Sequence, residues 1–140
     1  MARRTPTHPC LGHSCHRCCI GTEMTLTASD AERLRALGHE GFYRRTGDGY
    51  LQLVNVHGRC FFLRGGLCGV YDDRPEGCRL YPLILEMDSW DVVLHDFCPH
   101  RREFRFREED RANLMALVER QEREKRLRRR RRARGEPDDI

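Results

Sequence analysis

The chain has 140 residues, 39% hydrophobic and 34% charged, with a formal net charge of +4. That length predicts one domain with a modest core, of the kind that often needs a disulfide or metal staple. No apolar run is long enough to span a bilayer, and the start "MARRTPTHPC" has no apolar stretch behind its positive flank. A membrane protein and a signal peptide are therefore not expected, and the sequence reads as cytoplasmic. Disulfides rarely persist in a reducing cytoplasm, so the eight cysteines read as metal ligands.

Residues 1–118 carry 16 Arg against 16 Asp plus Glu, whereas residues 119–140 carry 10 Lys plus Arg against 6 acids. The expected organisation is a neutral cysteine-cluster metal-binding domain over 1–118 and a basic, solvated helical tail over 119–140. Arginine outnumbers lysine 25 to 1, which reads as base-composition bias and weakens arguments from arginine alone.

The stretch "HPCLGHSCHRCCI" places Cys10, Cys15, Cys18 and Cys19 within ten positions. After it, Thr27 and Asp30 fit a helix N-cap with an acid three residues on. Ala31, Leu34 and Leu37 share a face and Gly38 is a stop, which predicts a helix over about 28–37. "GFYRR", "TGDG" and "YLQLVNV" predict a hairpin with Leu51, Leu53 and Asn55 on one face. "CFFL" is a candidate third strand. Residues 64–82, broken by Gly and Pro, are expected to be irregular. "LILEM", "DS" and "WDVVL" predict a second hairpin with Trp90, Val92 and Val93 on its return strand. A helix is expected over about 106–134, with Leu114, Leu117, Val118 and Gln121 as a docking stripe. Beyond the stripe, pairs such as Glu119–Arg123 and Glu122–Arg126 suit a solvated face. The fold class is α+β, a small domain organised by metal.

Thiolates are soft, anionic ligands for zinc, copper(I) or iron–sulfur clusters. Cys15-x-x-Cys18 has the spacing that lets two sulfurs converge on one ion. Adjacent side chains usually diverge, so Cys18 and Cys19 suit a multinuclear cluster or two neighbouring sites. Cys60-x7-Cys68-x9-Cys78 and Cys98 form the second group.

The surroundings of the second group, "CGVYDDRPEGCRLYP", together with the front cluster, resemble the CxxCxxCC cysteine-cluster family of zinc- or iron-chelating proteins. Cys68, Val70, Tyr71, Arg74, Pro75, Cys78, Arg79, Tyr81 and Pro82 occupy the family's downstream motif, and "CCIGTEMTLTASD" resembles its connection to the first helix. The resemblance runs from about Cys10 to Cys98; the departure is Cys10-x4-Cys15, where the usual spacing is two. It implies a site that uses Cys10, Cys15, Cys18, Cys19, Cys60, Cys68, Cys78 and Cys98. Flagellin lysine methylases, which use S-adenosylmethionine, are distantly similar.

Four thiolates leave a zinc or an oxidised four-iron cluster negative, so Arg74 and Arg79 are candidates to offset that charge beside the ligands, with Arg17 and Arg59 behind them. Tyr71 and Tyr81 are candidates to pack around the site. His13, His16, His95 and His100 lie near cysteines, but are more simply solvated or supporting groups. The expected cofactor is an iron–sulfur cluster or iron, alternatively zinc. The alternatives are a metal-dependent enzyme such as an S-adenosylmethionine-dependent methyltransferase, and a zinc-stabilised protein binding nucleic acid through Arg128 to Arg132.

Overall fold

A computed structural model describes residues 17–86, 88–137 and 140. The architecture is α+β: among the described residues, three α-helices accompany four small antiparallel sheets. Strand β1 (Thr25–Leu26) leads into helix α1 (Ala28–Ala36). Thr27 and Asp30 cap that helix reciprocally. Asp30 N–H donates to Thr27 Oγ1 at 3.0 Å, and Thr27 N–H donates to Asp30 Oδ2 at 3.1 Å. Ala31 and Leu34 are buried as expected. Leu37, expected on the same face, falls at the C-cap, where the helical period no longer applies, and is 53% exposed.

Strands β2 (Tyr43–Arg45) and β3 (Leu51–Leu53) form the expected hairpin, with Tyr43 opposite Leu53 and Arg45 opposite Leu51. β1 joins the other edge of β3, giving the order β1-β3-β2. The strand does not continue through Val56 as the alternation suggested. Asn55 is diverted to Thr22, accepting its N–H at 3.1 Å and donating to its carbonyl at 2.9 Å. A separate ladder begins there, β4 (Asn55–Val56) with β5 (Arg59–Cys60). "CFFL" is not one strand either. Cys60 closes β5 and Leu63 opens β6 (Leu63–Arg64), which pairs with β7 (Leu67–Cys68). Between them Phe62 is buried against Phe42, their ring centroids 5.4 Å apart.

The stretch expected to be irregular contains a 3-10 turn at Tyr71–Asp73 and a helix α2 (Glu76–Leu80). Five residues are too few to display a helical period in sequence. The second hairpin, β8 (Leu83–Glu86) with β9 (Asp91–Leu94), forms as expected. Trp90 is not on its return strand. It sits in the turn at φ 60° and is 55% exposed.

The last helix, α3 (Glu108–Ala133), buries Leu114 and Leu117 against Leu80 and Leu83. Past Val118 the helix stays on the body instead of running into solvent. Gln121 Nε2 donates to the Thr25 carbonyl at 3.2 Å, and Ala28 N–H donates to Glu124 Oε1 at 2.9 Å. Tyr50 OH donates to Glu122, Lys125 Nζ donates to Tyr50 OH at 3.1 Å, and Arg128 is buried. Arg123, Arg126 and Arg129 to Arg132 keep the expected exposure. No helix among the described residues is long and apolar enough to cross a membrane.

Candidate metal centre

Backbone pairing brings the front of the chain to its middle. Ile20 bridges Arg59, Gly21 N–H donates to the Gly58 carbonyl at 2.7 Å, and Asn55 clasps Thr22. Cys18 and Cys19, in a 3-10 turn at Arg17–Cys19, are thereby set beside Cys60 on β5. The chain then doubles back, with Gly69 N–H on the Phe62 carbonyl at 2.6 Å, and this returns Cys68 to the same place. Gly69 permits the approach, since a Cβ there would lie 2.9 Å from that carbonyl oxygen.

Cys78 arrives on α2, which α1 holds from behind. Asp30 Oδ1 accepts Glu76 N–H at 3.1 Å, and Arg33 Nη2 donates to the carbonyls of Asp73 at 3.1 Å and Arg74 at 2.9 Å. Arg120 adds an ion pair to Glu76 at 2.9 Å from α3.

These five thiols, Cys18, Cys19, Cys60, Cys68 and Cys78, line one cavity of about 60 Å³. Met24, Leu53, Phe62 and Val70 supply apolar wall, and Tyr71, Arg74 and Tyr81 also face it. Among the described residues, no three Cys, His, Asp or Glu side chains are grouped so as to hold a single ion. The sulfurs ring a small volume, with more soft donors than one tetrahedral ion takes.

Their protonation is uneven. A hydrogen bond from the Cys19 thiol, with help from backbone N–H and the charge of Arg74, brings the Cys18 pKa down to about 7 against burial. Cys60 also falls to about 7, through Cys19 first, then the Phe62 backbone and Arg64. Cys19, the donor to both, is pushed far up and stays a thiol. One proton serves one neighbour at a time, so the three titrate as a set. Burial raises Cys68, and raises Cys78 well above its ordinary range, with the charges of neighbouring cysteines adding to it and Arg74 opposing.

The donor set fits a cation that takes sulfur ligands. The Cys18–Cys19–Cys60 set favours a thiolate near neutrality, and the remaining protons leave only when a positive charge replaces them. Arg74 stacks its guanidinium 3.9 Å from the Tyr71 ring centroid, lines the same cavity, and its charge helps to lower the Cys18 pKa. Arg79 is elsewhere: it is exposed, and its Nη2 bonds the Asp72 carbonyl at 3.0 Å, bracing the loop. Arg17 lies 5.4 Å from the Phe97 ring centroid. Arg59 is exposed on β5. The Tyr81 hydroxyl is 2.6 Å from His95 Nδ1, tying the cavity wall to the second hairpin. His100 is with Glu103, 3.1 Å away. Cys98 is buried after β9 and is not among the groups lining the cavity. Cys10, Cys15, His13 and His16 lie outside the described residues. Sequence reasoning missed Arg64, whose charge acts on Cys60, and the apolar wall. Arg64 has no motif around it, and Met24 and Phe62 read as ordinary core.

Thiols drawn from the first and the middle parts of the chain into one cavity define a cysteine-based metal-chelating domain. The chain belongs to the CxxCxxCC family, described as a putative zinc- or iron-chelating domain, and the match covers residues 9–99. Neither a curated protein nor a solved structure matches it.

Proposed function

We propose that the cavity holds an iron–sulfur cluster in one centre shared by the front and middle cysteines. The candidate ligands are Cys18, Cys19, Cys60, Cys68 and Cys78, with Cys10, Cys15 and Cys98 as the remaining members of the set. The observation that carries this reading is that adjacent Cys18 and Cys19 both open on the same cavity as Cys60, Cys68 and Cys78. Five thiols exceed the four that a closed zinc site uses, which suits a multinuclear occupant. Arg74 offsets the thiolate charge, and the apolar wall limits access of water, both of which tune such a centre.

Anaerobic purification followed by iron, zinc and acid-labile sulfide analysis tests the assignment. Coloured protein with iron and sulfide supports it; colourless protein with stoichiometric zinc and no sulfide refutes it. Cys18→Ser and Cys78→Ser test the sharing, since each should lose essentially all bound metal. Loss of separate fractions in the two variants would mean two independent sites.

A second reading has an observation of its own. A groove of about 820 Å³ opens beside the thiols, reaching from Cys18 past Tyr81 and His95 to Tyr50 and Glu122. That size accommodates a small-molecule cosubstrate, so an enzyme of the S-adenosylmethionine-dependent class is the alternative. Equilibrium dialysis of the metal-loaded protein against labelled S-adenosylmethionine decides it, and absence of binding removes the enzyme reading.

A further inference from the structure

Two of the cavity's thiols are placed for a reaction with each other. Ile20 bridges Arg59 in antiparallel register, and Gly21 N–H donates to the Gly58 carbonyl at 2.7 Å. One step along the same register, Cys19 falls opposite Cys60. Opposite positions of an antiparallel ladder hold their Cα atoms about 4.5–5.5 Å apart, inside the roughly 4.4–6.8 Å that a disulfide spans. The side chains agree with the backbone, since the Cys19 thiol hydrogen-bonds the Cys60 sulfur.

Among the described residues, the other thiol–thiol hydrogen bond of the cavity joins Cys18 to Cys19. A disulfide between adjacent residues closes a small ring that forces their shared peptide bond away from its planar trans form. Cys68, in the β6–β7 ladder, and Cys78, on α2, meet Cys60 through charge alone. Cys19 and Cys60 are therefore the pair that joins with least movement. Cys19 lies in a three-residue 3-10 turn with no buried member, which leaves it room to rotate towards Cys60 on β5.

An oxidant has a way in. Cys18 lines both the thiol cavity and the groove of about 820 Å³ beside it, so a molecule little larger than water reaches the sulfurs from that side.

We propose that, when the cavity is empty of metal, hydrogen peroxide joins Cys19 and Cys60 in a reversible disulfide that locks the cavity against metal. One sulfur gives up its proton and attacks a peroxide oxygen. An S–O bond forms, the O–O bond breaks, and the departing hydroxide takes that proton to become water. The second sulfur then attacks the sulfenic sulfur. The S–S bond forms, the S–O bond breaks, and hydroxide leaves with the second thiol proton as water. The two sulfurs together lose two electrons, and the peroxide oxygens gain them. Of the five cavity thiols, Cys18, Cys68 and Cys78 remain, fewer than the four of a closed thiolate site. The lock rests on the metal centre proposed above; the disulfide does not.

The full-length chain, stripped of metal by a chelator under argon, is treated with stoichiometric hydrogen peroxide, alkylated, digested and mapped by mass spectrometry. The expected product is one disulfide per chain, Cys19 to Cys60, which dithiothreitol reverses. The same treatment in urea should scatter the links, because the ladder that aligns the pair is gone. Cys68→Ser, in the cavity but outside the pair, should keep the link. Linked protein should take up no zinc(II), and should regain uptake after reduction and desalting. Cys60 left unlinked, Cys60 joined to another cysteine, a dominant Cys18–Cys19 product, or the same pattern in urea would overturn the pair. Equal zinc uptake by linked and reduced protein would overturn the lock. Failure of the reduced protein to take up any metal would count against the metal centre instead, and the mapped link would still decide the pair.

Discussion

Asp30 joins the first helix to the loop that carries Cys78, and replacing it with alanine should damage both. The carboxylate is 1% exposed and accepts three hydrogen bonds: Thr27 N–H on Oδ2, and Glu76 N–H and Arg33 Nη2 on Oδ1, all at 3.1 Å. Alanine removes one half of the capping box and strands two backbone donors, each at a cost of about 1–3 kcal/mol. Arg33 keeps its bonds to the Asp73 and Arg74 carbonyls, so its loss is partial. The expected destabilisation is about 3–5 kcal/mol, a large share of the roughly 5–15 kcal/mol of a small domain. Urea unfolding of the metal-loaded protein gives the number, and metal content after dialysis gives the effect on the loop. Asp72→Ala, an exposed acid in the same loop, should stay within about 0.5 kcal/mol of wild type. An Asp30→Ala protein within about 1 kcal/mol of wild type and with full metal would refute the claim that this carboxylate holds α2 in place.

Chelating the metal should raise amide exchange from Cys60 to Tyr81 first, including the Gly69 and Cys78 N–H groups, while the β8–α3 contacts open later; uniform exchange before and after would count against a metal-held loop. Truncation after Val118 removes Gln121, Glu122, Glu124 and Arg128 from the first sheet and α1, so a lowered Tm is expected; an unchanged Tm would mean those contacts are idle. The Tyr50–Glu122–Lys125 group predicts a pH window. Burial works against ionised Glu122, but the Tyr50 and Lys125 hydrogen bonds outweigh it and hold its pKa below the ordinary 4.5, so its stabilisation is present above that value and lost as pH falls through the folded pKa. Burial and Glu122 raise Tyr50 above 10.0, so its contribution is full below 10.0 and lost as pH rises through its folded pKa. Glu122→Gln should cost stability at pH 7 and nothing at low pH, as read from urea midpoints; a constant difference across the range would contradict the assignment.

Much of the frame was legible because it rests on local signals. The α1 cap is a Thr and an Asp at fixed spacing, and the β2–β3 hairpin is an alternation closed by a glycine turn. What was not legible depends on contacts distant in sequence. Asn55 looks like the next strand residue until Thr22, 33 positions away, takes its amide. Helix α2 has too few residues for a period, and is fixed from outside by Asp30 and Arg120. The tail reads as solvated because its charges pair at i,i+4. Nothing local reports that Glu124 will meet the start of α1, or that the turn at Gly49 will cover Arg128. For the site, five of the cysteines that the spacing singled out line one cavity, while Arg79, adjacent to Cys78, turns away to the loop backbone.

The cavity's electrostatics lead to a prediction about metal binding at the proposed centre. Emptied of a cation, Cys68 and Cys78 remain protonated, because burial and the neighbouring sulfurs oppose their charge. The trio of Cys18, Cys19 and Cys60 can then share hydrogen bonds, but these are weak donors and acceptors. Nothing among them replaces a strong bond between the 3-10 turn at Arg17–Cys19, β5, β7 and α2, each of which contributes only a few residues of regular structure. Coordination would reverse that balance, since each proton released converts a weak contact into a metal–thiolate bond, with Arg74 positioned to offset part of the charge that remains. Metal affinity should therefore rise with pH through the pKa of about 7 shared by Cys18 and Cys60, and protons should be released on binding. Calorimetric titration of the metal-free protein in buffers of different ionisation enthalpy reads the proton count directly. A binding heat independent of the buffer would show that the thiols were already ionised, and the account of the empty cavity would be wrong.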